Sequence, residues 1–386
     1  MPFINDLLAE NRTHTREAGS PVAADQPSAL QSRFSFDPQA ITDLLKQRLA
    51  GQREVIEALG EQLRIVKADL CEPGRPLYVT LFIGDTGVGK TEIVRLLAQA
   101  IHGTTDSFCR LDMNTLSQSH YSAAVTGAPP GYVGSKEGTT LFNEELIKGS
   151  FDRPGIVLFD EIEKASNDVA RALMNVLDTG KLKLASGNRE LDFSNCLIFM
   201  TSNVGSKAWM QVQRRAKGCW HQRLINLMRT QPRSRRALIE DALHERFDPE
   251  FINRIDRVEL FEPLSSDHLE TIVQLELERT NRRLKHKGIE VQLTHSAIDL
   301  LCEQGFDAEF GARAIRRSFR QRVMLPLADC LLNLPASLPA TPSTPPLTLI
   351  RGHAAEGQIL FKRVPDEPAS HTLPKDRSPQ GTAQEM

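Results

Sequence analysis

The 386 residues carry 47 Lys and Arg against 49 Asp and Glu, with 40% hydrophobic and 25% charged residues. That is the balance of a globular chain of about two domains with loose ends. A net charge of −2 excludes a global pull on nucleic acid, though not a local basic patch.

No apolar run reaches the ~18 residues of a membrane span. Met1–Asp6 lack the basic-then-apolar start of a secretory signal, so the cytoplasm is the expected address. The cysteines (Cys71, Cys109, Cys196, Cys219, Cys302, Cys330) are scattered, with no CxxC pair, and read as free thiols. Residues 1–36 are rich in Ala, Ser, Pro, Gln and charge and read as a disordered arm, with a short helix near Ile4–Leu8.

From Asp37 the pattern turns helical. Ile41, Leu44, Leu45 and Leu49 share a face, and a second helix is predicted from about Gln52 to Leu70. Short apolar runs then alternate with helical segments. The runs are Tyr78–Ile83, Phe108–Asp112, Ile156–Phe159, Leu197–Met200 and Val258–Phe261. Such runs suit strands buried on both faces, and the alternation predicts an α/β fold with a mostly parallel five-stranded sheet flanked by helices. After Pro263 a smaller, mainly helical domain follows. Ser265–Asp267 offers an N-cap for a helix to about Lys287, stopped by Gly288; further helices fall near Ser296–Glu303 and from Ala312. The predicted division is an arm 1–36, a large α/β domain 37–263, a small domain 264–363 with a Pro-rich loop 334–346, and a disordered tail 364–386.

Gly84-Asp85-Thr86-Gly87-Val88-Gly89-Lys90-Thr91 fits G-x-x-x-x-G-K-[ST] between a strand and a helix. Its glycines let backbone N–H groups turn toward phosphate oxygens, and the helix start adds positive dipole. Lys90 is placed for the β- and γ-phosphates of ATP, and the Thr91 hydroxyl for Mg²⁺. A second apolar strand, Gly155–Phe159, ends in Asp160 and Glu161. Parallel sheets bind ligands at that end. Asp160 is expected to hold Mg²⁺, usually through its water shell, and Glu161 to deprotonate the attacking water. Leu197–Met200 leads to Thr201-Ser202-Asn203, where Asn203 can stand between the acidic pair and the γ-phosphate. By itself that Asn reads as a strand-end cap.

Together these residues resemble the AAA+ ATPases of the Clp unfoldase and disaggregase group, in their second ATPase module. The likeness runs from about Ile41 to Arg317 and more weakly to Lys362. It implies further roles. Leu49-Ala50-Gly51-Gln52 matches the family's approach to the adenine pocket, with Gln52 as a nucleotide residue. Arg254, in Pro249–Asp256, matches the arginine finger that acts on a neighbouring subunit's nucleotide. Arg313, after Gly311-Ala312, matches the lid arginine called sensor 2. Gly131-Tyr132-Val133-Gly134 resembles the pore loop that grips an extended substrate; alone it would read as a Pro-Gly turn with a packed Tyr. The resemblance thus implies an ATP-hydrolysing ring, a homo-hexamer, that threads unfolded or aggregated protein.

This chain departs from that pattern in places. It has one module where full-length relatives have two, and Ser135-Lys136-Glu137-Gly138-Thr139 replaces the usual Tyr-containing continuation of the pore loop. Residues 206–239 hold nine Lys and Arg and no acid. Lys217-Gly218-Cys219-Trp220 lacks the aliphatic residue with which protease-coupled members dock a peptidase, which speaks against such a partner. A basic surface helix is the plain reading of the stretch, and neither nucleic acid nor membrane is an expected partner. A protease motor and a nucleotide-dependent assembly switch stay open as alternatives.

Overall fold

The computed structural model describes residues 32–117, 142–184, 189–205, 235–305, 311–333 and 348–364. Two amphipathic helices come first, α1 (Pro38–Arg48) and α2 (Arg53–Lys67). The Asp37 side chain caps α1 by accepting from the Gln39 N–H at 2.9 Å. Ahead of them Phe34 and Phe36 are buried, so the chain is packed from residue 32 on, and the predicted arm is too long by a few residues. The two rings, 5.6 Å apart, outweigh the polar composition around them.

All five apolar runs form strands: β1 (Tyr78–Ile83), β2 (Cys109–Asp112), β3 (Gly155–Asp160), β6 (Cys196–Ser202) and β7 (Arg257–Leu260). They make one parallel sheet in the order β2-β3-β6-β1-β7. Every residue of β1, β3 and β6 is buried. Alternate side chains split between two cores. Val79, Leu81 and Ile83 join the side covered by α4 (Glu144–Lys148), α5 (Asn167–Thr179), α6 (Arg235–Arg246) and α7 (Pro249–Ile252). Tyr78 and Phe82 join the side covered by α1, α2 and α3 (Lys90–His102). On that second side Phe82 packs on Phe199 and Phe261 at ring separations of 5.5 and 5.1 Å. Each fully buried ring is worth about 1.5–3 kcal/mol of transfer free energy.

Register fixes the site. Asp112 lies opposite Asp160, and Ile83 opposite Ser202, so the ends of β2, β3, β6 and β1 form one edge. Two short strands between β3 and β6, β4 (Lys181–Leu184) and β5 (Arg189–Asp192), form an antiparallel hairpin that the sequence reading did not name.

The C-terminal unit is mainly helical, with α8 (Leu269–Leu284), α9 (His295–Gly305), α10 (Ala312–Phe319) and α11 (Leu325–Leu332). Ser265 and His268 form a capping box ahead of α8, and Gly288, left-handed at φ 65°, ends the segment as expected. A wide helical turn, Arg320–Met324, joins α10 to α11, where Pro326 lacks the N–H that a regular helix would use. The unit also holds a three-stranded sheet, β8 (Ile289–Leu293), β9 (Thr348–Ala355) and β10 (Gln358–Arg363), in the order β10-β9-β8. Among the described residues the cysteines are free thiols, and no helix is long and apolar enough to cross a membrane.

Candidate functional site

The loop after β1 turns sharply into α3. The Gly84 N–H donates to the Ser202 carbonyl at 3.2 Å, which ties the loop to β6. Gly89 caps α3 at φ 113°, a backbone conformation that asks for glycine, and a Cβ there would also press on Leu49 Cδ1 at 2.7 Å. Asp85 to Thr91 line a cleft of about 310 Å³ between the sheet edge and the C-terminal unit. Asp160, Glu161 and Asn203 line it from the sheet, and Arg313 from α10.

Lys90 is the centre of the cleft's charge. Only 8% of it is exposed. Its ammonium donates to the Gly84 carbonyl at 2.5 Å, the Asp85 carbonyl at 2.9 Å and Asn203 Oδ1 at 2.7 Å. Burial lowers its pKa to about 8; Glu163, Asp85 and Asp160 oppose that fall, and Arg313 adds to it. An anion arriving beside Lys90 would favour its charged form.

The acidic strand end is held by Thr201. Its hydroxyl donates to Asp160 Oδ1 at 2.5 Å and accepts the Glu161 N–H at 3.0 Å. Asp160 Oδ2 pairs with Arg110 at 2.5 Å. Glu161 adopts left-handed backbone, φ 57° and ψ 53°, a conformation that costs a non-glycine residue about 1–2 kcal/mol. Thr201 helps hold that turn. Glu163 Oε1 accepts the Asn203 N–H at 3.3 Å.

These residues fit a magnesium nucleotide. Thr91 and Asp160 offer hard oxygen donors across one cleft, and Mg²⁺ takes one or two such ligands besides waters and phosphates. Asp85 Oδ1, on a cleft residue, is buried without a hydrogen-bond partner in the structure, and a water of a hydrated cation would bring one.

Not every predicted residue is here. Gln52 is buried and its amide is consumed: it donates to the Glu262 carbonyl at 2.9 Å and the Val88 carbonyl at 3.4 Å, and accepts the Glu262 N–H at 3.0 Å. It braces the loop from behind, which corrects its reading as a nucleotide contact. Leu49 and Ala50 line the cleft instead. Arg254 lies outside the cleft, paired with Asp178 at 2.6 Å and Glu250 at 2.9 Å. Gly131, Tyr132, Val133 and Gly134 lie outside the described residues, as does the stretch 206–234. Of the basic stretch that is described, Arg235 is largely buried and pairs with Glu262, while the exposed Arg236 pairs with Glu240.

The sequence reading missed Arg110, Arg279 and Arg316, all of which line the cleft. Arg316 is three residues beyond Arg313 on one helix, so its face was readable. Arg110 shares a face with Asp112, alternating with buried Cys109 and Leu111 along β2, a period-2 signal too short to stand out. The C-terminal unit touches the phosphate loop directly. The Ala312 N–H donates to the Gly87 carbonyl at 3.2 Å. Arg279 and Arg316 also pair with Glu92 on α3 and with Glu276 on α8.

A family model described as AAA domain (Cdc48 subfamily) matches residues 75–258, and one described as the C-terminal, D2-small domain of ClpB protein matches residues 264–337. The chain is 45% identical over 346 residues to the ATP-dependent protease ATP-binding subunit-like protein AmiB of Pseudomonas aeruginosa, which covers 86% of this chain and 93% of that protein. It is 38% identical over 365 residues to an ATP-dependent protease ATP-binding subunit-like protein of Rhodococcus erythropolis, covering 95% of this chain and 100% of the other. It is 39% identical over 289 residues to the chaperone protein ClpB of Rhodopirellula baltica, 75% of this chain but 31% of ClpB. A closed-state cryo-electron-microscopy reconstruction of Hsp104 with ATPyS and FITC casein has a similar fold: TM-score 0.68, 25% identity, covering 85% of this chain and 52% of the Hsp104 chain.

Proposed function

The chain belongs to the AAA+ ATPases of the Clp unfoldase and disaggregase group, and from that premise we propose that it hydrolyses ATP in this cleft to drive the remodelling of other proteins. The observation that carries the reading is the meeting of Lys90, Thr91, Asp160, Glu161, Asn203 and Arg313 around one cleft. In this reading Lys90 and the amides at the start of α3 bind the β- and γ-phosphates. Thr91 and Asp160 would hold Mg²⁺, which would neutralise phosphate charge. Glu161 takes a proton from the attacking water, Asn203 fixes that water, and the γ-phosphoryl group leaves ADP for the water oxygen. Arg313 brings the C-terminal unit onto the same phosphates. Arg254 faces away from its own cleft, as suits a residue that completes a neighbour's site in a homo-hexamer.

Threading of unfolded or aggregated protein through the ring, gripped by Tyr132, follows from the family likeness, with the cytoplasm as the place. The chain spans about a third of ClpB and half of Hsp104, so these whole-protein activities are carried over only as proposals. A protease motor is the second reading, favoured by the names of the two relatives of similar length; the Lys217–Trp220 segment speaks against it.

One experiment tests the proposal. ATP hydrolysis and unfolding of a fluorescent substrate are measured for wild type, Glu161→Gln and Tyr132→Ala. Glu161→Gln should bind ATP but lose about 10²–10⁴ in turnover, and Tyr132→Ala should hydrolyse ATP without unfolding. Full turnover by Glu161→Gln would overturn the cleft reading, and unfolding by Tyr132→Ala the threading. Degradation only when a peptidase is added would favour the motor.

A further inference from the structure

Asp160 reaches solvent through little of its surface. Its side chain is 12% exposed, one oxygen accepts from Thr201, and the other pairs with Arg110 at 2.5 Å. Arg110 is different: its side chain is 45% exposed and it lines the cleft. It stands on β2, two residues before Asp112, whose register partner is Asp160. Asp112 and Glu161 line the same cleft. Three carboxylates therefore crowd the edge at which a polyphosphate is to be received, and Arg110 is the cation set against the most buried of them. Removing the partner of a buried charge is costly.

Resting on the ATP reading above, we propose that Arg110 is the exchangeable counter-ion of Asp160: it competes with Mg²⁺ for that carboxylate and swings aside toward solvent when the metal takes its place. Its half-exposed side chain leaves room to turn away from the carboxylate. Arg110 and the metal are then alternative neutralisers of one carboxylate. Either makes the edge tolerable to an anion, but the metal must displace the arginine to bind. A plain surface ion pair would carry no such coupling.

The consequence is a change in metal dependence that a structural role would not give. The affinity for a fluorescent ADP derivative is measured on the full chain with excess Mg²⁺ and with EDTA. The two are expressed as a ratio for wild type, Arg110→Gln, Arg110→Ala and Arg110→Lys. Removing the guanidinium should weaken metal-free binding and spare or strengthen binding with Mg²⁺, raising the ratio roughly tenfold, as loss of one charged hydrogen bond implies. Arg110→Lys, which keeps the charge but not the guanidinium, should fall between wild type and the neutral variants. Arg110→Ala supplies the same reading should Arg110→Gln fail to fold. An unchanged or lower ratio in the neutral variants, with nucleotide still bound, overturns the counter-ion and leaves the ATP reading intact. Failure of wild type to bind nucleotide in either medium overturns both.

Discussion

Lys90 carries its charge against the pull of its surroundings. Burial lowers its pKa from 10.5 to about 8, so between those values the folded chain has released a proton that the unfolded chain keeps. Stability must then rise with pH across that window, while below about pH 8 both states are protonated and the full burial penalty stands. Each unit of depression is worth about 1.4 kcal/mol. Urea unfolding of wild type and Lys90→Met at pH 7.5 and 10 should show the wild type gaining a few kcal/mol relative to the variant. Saturating ADP should abolish that gain, since a phosphate keeps the ammonium charged. The residues that motif spacing located, Lys90, Thr91, Asp160 and Glu161, do share the cleft. Gln52 and Arg110 were beyond reach. Only the fold decides that Gln52 spends its amide on Val88 and Glu262, or that β2 lies against β3 and puts Arg110 beside Asp160.

At the scale of elements, the contact between α3 and the C-terminal unit is a clasp of charge. Glu92 on α3 is gripped by Arg279 of α8 and Arg316 of α10, and Glu276 holds both arginines from the other side. The group is partly buried, with Glu92 and Glu276 side chains about one-fifth exposed, so its loss leaves two cations short of a partner. Glu92→Gln should speed backbone hydrogen exchange in α8 and α10 about tenfold while β1, β3 and β6 keep their protection. Equal acceleration in both units would mean that the clasp does not set their contact. The strands of the large sheet were legible because each is a nearly continuous apolar run. The C-terminal sheet was not. β9 and β10 follow a Pro-rich stretch, and β8 and β9 alternate buried and half-exposed residues, a pattern that short loops share. The hairpin β4–β5 hid for the same reason. Phe34 and Phe36 were lost in a polar arm because two aromatics do not shift a composition average.

The whole molecule separates the cleft from Arg254. If that arginine serves a neighbour, Arg254→Ala should keep its own nucleotide affinity and lose about 10³-fold or more in hydrolysis. Mixing it with Glu161→Gln protein then gives a sharp test. A subunit with an intact Glu161 receives Arg254 from the other variant, so the mixture should hydrolyse ATP although neither variant does alone. A mixture as inactive as its parts would place the arginine's effect within its own subunit.

The order of strands in the sheet also has a meaning in time. β1 is made early, yet its two neighbours, β6 and β7, are among the last strands of that sheet to be made. At ribosomal speed the wait from Ile83 to Cys196 is of the order of ten seconds. Throughout it, Tyr78–Ile83, apolar but for Thr80 and the Tyr78 hydroxyl, has both edges unpaired. Such segments seek each other in neighbouring nascent chains. The strand that carries the phosphate loop is thus the one that waits longest for its partners.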